Sequence, residues 1–195
     1  MPKIKKAYKI FSKGNSSLRT KLLLITGFIL LSISLIWNLN QTIQLKFFTP
    51  KVPQIVKTEK TTPRPLLLSI AAVNVNLHIE ETAIRNNTWG ISTKGASHLA
   101  ISANPGEQGP IILYGHNTND RLGPIRWLTT GKTIDIKTAD GKTYSYTIKK
   151  LLEVDPKQTD VFNQKTETLI LYTCSGFADL KRFVVIATPK RYKVY

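Results

Sequence analysis

Hydrophobic and polar positions divide the chain near residue 65. Upstream, the apolar residues form one long block, and Leu22 to Leu45 carries no charged side chain. Its apolar centre ends near Leu39, close to the ~20 residues a membrane-spanning helix needs. Downstream, the apolar residues break into short runs, some alternating and some continuous. Strands are predicted over 66–73, 75–79, 97–102, 110–115, 133–138, 143–154, 168–173 and 182–188. These runs are rich in Ile, Val, Thr and Tyr, and turn residues bound most of them. "ADGK" at 139–142 predicts a two-residue hairpin with a primed turn, because Asp-Gly favours positive φ. "RLGPIRWL" at 121–128 predicts one short helical turn. The expected fold class is therefore all-β, a closed eight-stranded β-barrel with short helical turns, preceded by one N-terminal transmembrane helix.

Charge sharpens this division. Of a net +16, residues 1–65 contribute +11, from twelve Lys/Arg against the single acid Glu59. Lys3, Lys5, Lys6, Lys9, Lys13, Arg19 and Lys21 precede the apolar block with no acid among them. That is the positive-inside pattern, which expects the amino terminus in the cytoplasm and the rest of the chain outside. Trp37 suits the outer interface. A cleaved signal peptide would end in a small-residue site, and "IWNLNQT" offers none, so a retained anchor is expected. The remaining +5 is spread over residues 66–195, which excludes the basic, aromatic-interleaved face of a nucleic-acid binder. The expected organisation is a basic cytoplasmic tail (1–21), a transmembrane anchor (22–45), a Pro/Thr-rich stalk (46–65) and an extracellular domain (66–195).

Cys174 is the only cysteine. An exported chain with one cysteine cannot close an internal disulfide, so the thiol is either a buried bystander or reactive. If 168–173 and 182–188 are antiparallel neighbours, Cys174 ends one strand and Arg182 begins the next. The guanidinium could then lower the thiol pKa or bind an oxyanion formed when the thiolate attacks a carbonyl. From these two residues alone, both readings stay open. Acyl transfer also needs an acid or base. His78 and His98 fall within strand-like runs, where structural or exposed roles are expected. His116 follows "PIILYG", just past a strand end, behind a glycine that permits close approach. Cys174, His116 and Arg182 could thus meet at one mouth of the barrel. Metal-ligand spacing and a phosphate-binding glycine loop are both missing, so no metal or cofactor is expected. Asp155, Asp160 and Glu167 share a loop, but without a calcium-loop pattern.

These residues resemble the sortases, membrane-anchored cysteine transpeptidases of bacterial surfaces. "NPGEQGPIILYGHN" resembles the family's P-G-E-x-G-N-x-(apolar)-G-H segment, and "LTTGKTIDIKTADGKTYSYTI" the stretch that follows it. "TLILYTC" resembles T-L-x-T-C with one additional residue, and Arg182 falls at the family's arginine. The resemblance spans roughly 68–190. It implies an eight-stranded barrel in which Cys174 forms a thioester at an LPxTG-like sorting signal. His116 then serves as general acid/base, and Arg182 stabilises the oxyanion or the substrate. The implied partners are the sorting-signal peptide of surface proteins and an amine of peptidoglycan or a pilin subunit. Pro110, Asn117 and Lys132 depart from common family residues and leave the subclass open. The chain stops soon after its last strand, which speaks against subclasses with a carboxy-terminal anchor. Specificity is expected from loops 80–96 and 154–167.

Two other readings compete. A cysteine L,D-transpeptidase would place an Arg about two residues after the Cys, and "YTCSGFAD" has none there. A membrane-tethered, non-enzymatic β-barrel binding or adhesion module would keep Cys174 buried.

Overall fold

The computed structural model describes residues 16–47, 60–86 and 88–190. Most of the expected cytoplasmic tail and of the stalk lies outside the described residues. The chain divides into two compact units, residues 1–45 and 46–195. In the first, α1 (Ser16–Phe47) runs for 32 residues, about 48 Å at 1.5 Å per residue. Its segment Thr20–Trp37 is long and apolar enough to cross a membrane. Within that segment the Thr26 hydroxyl donates to Leu22 O (3.0 Å) and the Ser32 hydroxyl to Phe28 O (2.8 Å). These two hydroxyls are thus paired within the helix itself, which suits an apolar environment.

The second unit is a closed barrel. Its strands are β1 (Pro65–Ile70), β2 (Val75–Thr82), β5 (Ala96–Leu99), β6 (Pro110–Gly115), β7 (Thr133–Thr138), β8 (Thr143–Val154), β9 (Thr168–Ser175) and β10 (Lys181–Pro189). They close in the order β1-β2-β5-β6-β9-β10-β8-β7. A separate two-stranded hairpin, β3 (Ile84–Arg85) with β4 (Thr88–Trp89), lies outside this ladder. All eight expected strands are present. β1 stops at Ile70 because residues 71–73 form a 3-10 turn and Asn74 adopts φ 53° to begin β2. The helical turn expected at 121–128 is a 3-10 helix over Gly123–Trp127.

The 139–142 hairpin differs from expectation. Gly141 N–H donates to Thr138 O (2.9 Å) and Thr138 N–H to Lys142 O (2.9 Å), while Gly141 is the position at positive φ (83°). This is the three-residue loop in which a left-handed glycine follows the turn, not a primed two-residue turn. The Thr138 hydroxyl contacts Asp140 Oδ1 (2.6 Å) and draws that side chain back over the loop.

Strand alternation sorts the core into two clusters. The inner one fills the barrel with Leu68, Ile70, Ile111, Leu113, Ile134, Ile136, Tyr146, Leu169, Leu171, Val185 and their neighbours. Leu122, Ile125 and Leu128 from the β6–β7 connection pack into it. The outer cluster covers one wall with Trp89, Leu99, Ile112, Tyr114, Val154, Val161, Phe162, Ile170, Tyr172 and Val184.

The chain enters the barrel through a clamp that begins upstream of β1. Glu107, only 5% exposed, accepts the N–H groups of Thr61 (2.7 Å) and Thr62 (2.9 Å) on Oε1 and that of Asn104 (2.8 Å) on Oε2. Burial alone would raise its pKa, but these donors outweigh burial and hold the carboxyl below its ordinary value. The 104–107 loop leads into the start of β6, so the entry clamp and the end of β6 occupy opposite ends of the barrel.

Candidate active site

β9 and β10 pair antiparallel, and the register sets Arg182 directly opposite Cys174. β6 runs parallel to β9 from Pro110↔Thr168 to Gly115↔Thr173. His116 follows Gly115 and Cys174 follows Thr173, so each stands one residue past the last pair of the β6–β9 ladder. The Thr173 hydroxyl ties the two strand ends together by donating to Gly115 O (2.8 Å). His116 is exposed, and its carbonyl accepts Leu122 N–H (3.1 Å), which starts the turn that carries the chain away. A Cβ on Gly115 would lie 3.3 Å from Leu122 Cδ1. The glycine therefore lets that turn approach the strand end closely.

Parity decides where the site opens. Leu169 and Leu171 of β9 point into the barrel, whereas Ile170 and Tyr172 belong to the outer cluster. Cys174 follows Tyr172 at a spacing of two and shares its face. The site therefore opens on the outer wall at the barrel's end rather than into its mouth. The loops expected to govern specificity furnish that wall. β4 contributes Trp89, and the 155–167 loop contributes Phe162, with ring centroids 5.8 Å apart. Trp89 also packs edge-on against Tyr114 at 4.9 Å.

Cys174 is partly exposed, neither sealed in the core nor fully in water. Burial pushes its pKa up. Arg182 pulls in the opposite direction and Asp179 adds to the rise, with a net shift upward. The guanidinium thus acts on the thiol in the expected direction, and desolvation is the larger of the two effects. At neutral pH the resting group is a thiol, and it must lose its proton to react. The Arg182 guanidinium is held by two backbone carbonyls, Asp179 O (2.6 Å) and Lys181 O (2.8 Å), both accepting from Nη1. Among the described residues no hydrogen bond joins the side chains of Cys174, His116 and Arg182. Strand register sets Arg182 opposite Cys174, and His116 lies one residue past the last β6–β9 pair.

The other histidines stand apart. His78 is exposed on β2 and pairs with Leu67 across β1. His98 on β5 is fully buried, with Nε2 3.1 Å from Ala103 O and 3.2 Å from Ser102 Oγ. Desolvation lowers its pKa to about 4, so it is neutral. The three loop acids do not converge on a common point. Asp155 accepts Lys157 N–H (3.0 Å), while Glu167 accepts Gly106 N–H (2.8 Å) and the Tyr146 hydroxyl (2.8 Å). Among the described residues no group of three or more His, Cys, Asp or Glu could hold a metal ion.

Sequence reasoning passed over the aromatic wall. Tyr172 was legible from its spacing to Cys174, but nothing local brings Trp89 or Phe162 to it.

The barrel thus pairs a cysteine and an arginine across its last two strands and has a histidine just past the end of the adjacent parallel strand. The chain matches the Sortase domain family over residues 68–190, and it belongs to that family, whose members are cysteine transpeptidases. A Clostridium perfringens sortase D5 transpeptidase is similar at 25% identity and a TM-score of 0.55, over 68% of this chain and 82% of that one. A lid mutant of Corynebacterium diphtheriae sortase A shares the fold at 22% identity and a TM-score of 0.56, over 68% and 74%. Streptococcus pneumoniae sortase C shares it at 16% identity and a TM-score of 0.58, over 78% and 85%. Comparison with curated proteins finds no match.

Proposed function

We propose that residues 66–195 form the extracellular catalytic domain of a membrane-anchored sortase, tethered through α1 with the amino terminus in the cytoplasm. Cys174 is the nucleophile. Its sulfur attacks the carbonyl between Thr and Gly of an LPxTG-like sorting signal, and His116 takes up the thiol proton. Arg182 donates to the oxyanion of the tetrahedral intermediate. Collapse of that intermediate breaks the C–N bond, and His116 protonates the departing amine. The resulting thioester is attacked by an amine of peptidoglycan or of a pilin lysine. His116 removes the proton from that amine, and the thiol is released as the new amide forms.

The observation that carries this reading is the register that sets Arg182 opposite Cys174 while β6 delivers His116 to the same strand end. The partial exposure of Cys174 favours it over a non-enzymatic barrel with a buried thiol. The test incubates the full chain in detergent with a panel of LPxTG-like peptides and an amine acceptor. Transfer disappears in Cys174→Ala and falls by about 10²–10⁴ in His116→Ala and Arg182→Ala. Equal transfer by wild type and Cys174→Ala would sink the proposal.

A further inference from the structure

Arg182 carries the oxyanion in the reading above, yet its guanidinium is anchored from one side only. Both carbonyls that accept from Nη1 belong to the β9–β10 connection and the first residue of β10, Asp179 O and Lys181 O. Asp179 sits at φ 59°, a left-handed conformation uncommon outside glycine, and its neighbour Leu180 is exposed. The ion pairs Lys60–Glu81, Arg121–Asp120 and Lys142–Asp140 do not involve Arg182, and among the described residues no carboxylate fixes it. Arginine loses much rotamer freedom when it is ordered. A donor aimed at developing charge must be held in place beforehand, so Arg182 needs a second anchor.

Strand register supplies one. β9 and β10 set Cys174 opposite Arg182 and Tyr172 opposite Val184. Tyr172 and Arg182 are therefore diagonal neighbours on the face that carries Cys174, at a separation of about 7–8 Å that aromatic and long side chains span. The Tyr172 ring is 5% exposed, with Phe162 at 5.3 Å and Trp89 at 6.2 Å between ring centroids. The wall thus fixes its hydroxyl, and Arg182 approaches it as a hydrogen-bond partner short of full alignment. Burial raises the Tyr172 pKa to about 12 against the pull of Arg182, so the group is a neutral phenol whose oxygen can accept. Cys174 and Asp155, the latter just past Val154 of β8, are the other titratable groups that act on it.

We propose that Tyr172 is a positioning residue: its phenolic oxygen accepts from Arg182 and holds the guanidinium beside Cys174. The contact rests on strand geometry, and its effect on turnover rests on the transpeptidase reading above. A neutral acceptor suits the task. A carboxylate in the same place would offset the guanidinium charge and compete with the oxyanion for its N–H groups. A phenol orients the donor and leaves the charge intact. In this role the tyrosine acts through Arg182 rather than on the peptide, so its loss is felt in the transition state and not in substrate binding.

The test deletes only the oxygen, with Tyr172→Phe in the full chain, alone and combined with Arg182→Ala. In the peptide and amine assay, Tyr172→Phe is expected to lower kcat about tenfold with KM within about twofold. In the Arg182→Ala background the same change should alter the residual transfer by less than about twofold. Alkylation of Cys174 by iodoacetamide across pH gives a readout that needs no transfer. Tyr172→Phe should move its midpoint upward, the direction expected for Arg182→Ala, and should add nothing to Arg182→Ala. A tyrosine that only packs the wall would change neither kcat nor the midpoint, because phenylalanine keeps the ring. Equal effects of Tyr172→Phe with and without Arg182, or no effect in either, overturn the assignment and leave the transpeptidase reading standing. A coupled alkylation shift without any Cys174-dependent transfer overturns the transpeptidase reading and leaves the Tyr172–Arg182 contact standing.

Discussion

The two faces of β9 behave as different materials. Its inward residues, Leu169 and Leu171, are fully buried aliphatics within a closed shell of like residues. Its outward residues run from Ile170 through Tyr172 to Cys174, beneath aromatic rings delivered by two loops. One strand thus carries stability on one side and candidate chemistry on the other. Alternation keeps the two sets of side chains from touching. A substitution on the inner face should therefore damage folding alone, and one at the partly exposed outer end, at Cys174 or Arg182, should damage reactivity.

The strongest way to break that division is Leu171→Ala. It leaves a cavity in a fully buried site and should cost about 2–5 kcal/mol of stability, read as a lower urea midpoint. Arg182→Ala on the outer face should leave that midpoint within about 0.5 kcal/mol while lowering transfer. Comparable destabilisation by both would show that the faces are not independent.

The next contrast concerns protons. His98 is neutral in the fold, with its pKa lowered from 6.5 to about 4, so the unfolded chain binds a proton that the folded one excludes between those values. Stability is full above pH 6.5 and declines as pH falls toward 4, by about 3 kcal/mol. Urea midpoints at pH 7 and pH 4.5 should separate in the wild type by more than in His98→Gln. An equal pH slope in the two proteins would remove His98 as the cause.

The entry clamp comes third. Glu107→Ala strands the N–H groups of Thr61, Thr62 and Asn104, at a cost of about 1–3 kcal/mol. A chain beginning at residue 66 should lose stability for the same reason, because it leaves the Glu107 carboxylate buried without two of its donors. A chain beginning at residue 60 should not. Thermal melts of the two truncations make the comparison.

The smallest expected effect is at the thiol. Burial raises the Cys174 pKa against the pull of Arg182, so its alkylation should be slow at pH 7. The rate should climb with a midpoint above the ordinary cysteine value of about 8.5. Arg182→Ala removes the opposing charge and should move the midpoint higher still. A downward move would mean that Arg182 does not act on the thiolate.

Much of this was legible in the chain. The strand runs were clear because alternation and β-branched content are local properties. "PIILYG" matched β6 from Pro110 to Gly115, and "TYSYTIKKLLEV" matched β8 from end to end. The 139–142 loop was misjudged because Asp-Gly also suits a three-residue loop, in which only the glycine takes the left-handed position. Cys174, His116 and Arg182 could be proposed as site residues from strand ends and resemblance. The aromatic wall could not, because Trp89 lies 83 residues before Tyr172 in the sequence and meets it only when the barrel closes. The role of Glu107 was hidden for the same reason, since its partners lie more than forty residues upstream.

By itself, the sequence determined an apolar segment long enough to span a bilayer, eight strands, and one cysteine two residues after a tyrosine. Each of these follows from hydrophobic period and spacing along the chain. Tertiary structure alone decided that Cys174 faces the outer wall, that Arg182 lies directly across from it, and that burial outweighs that arginine in setting the thiol's proton affinity. Those outcomes depend on register between distant strands and on how completely neighbouring loops exclude water.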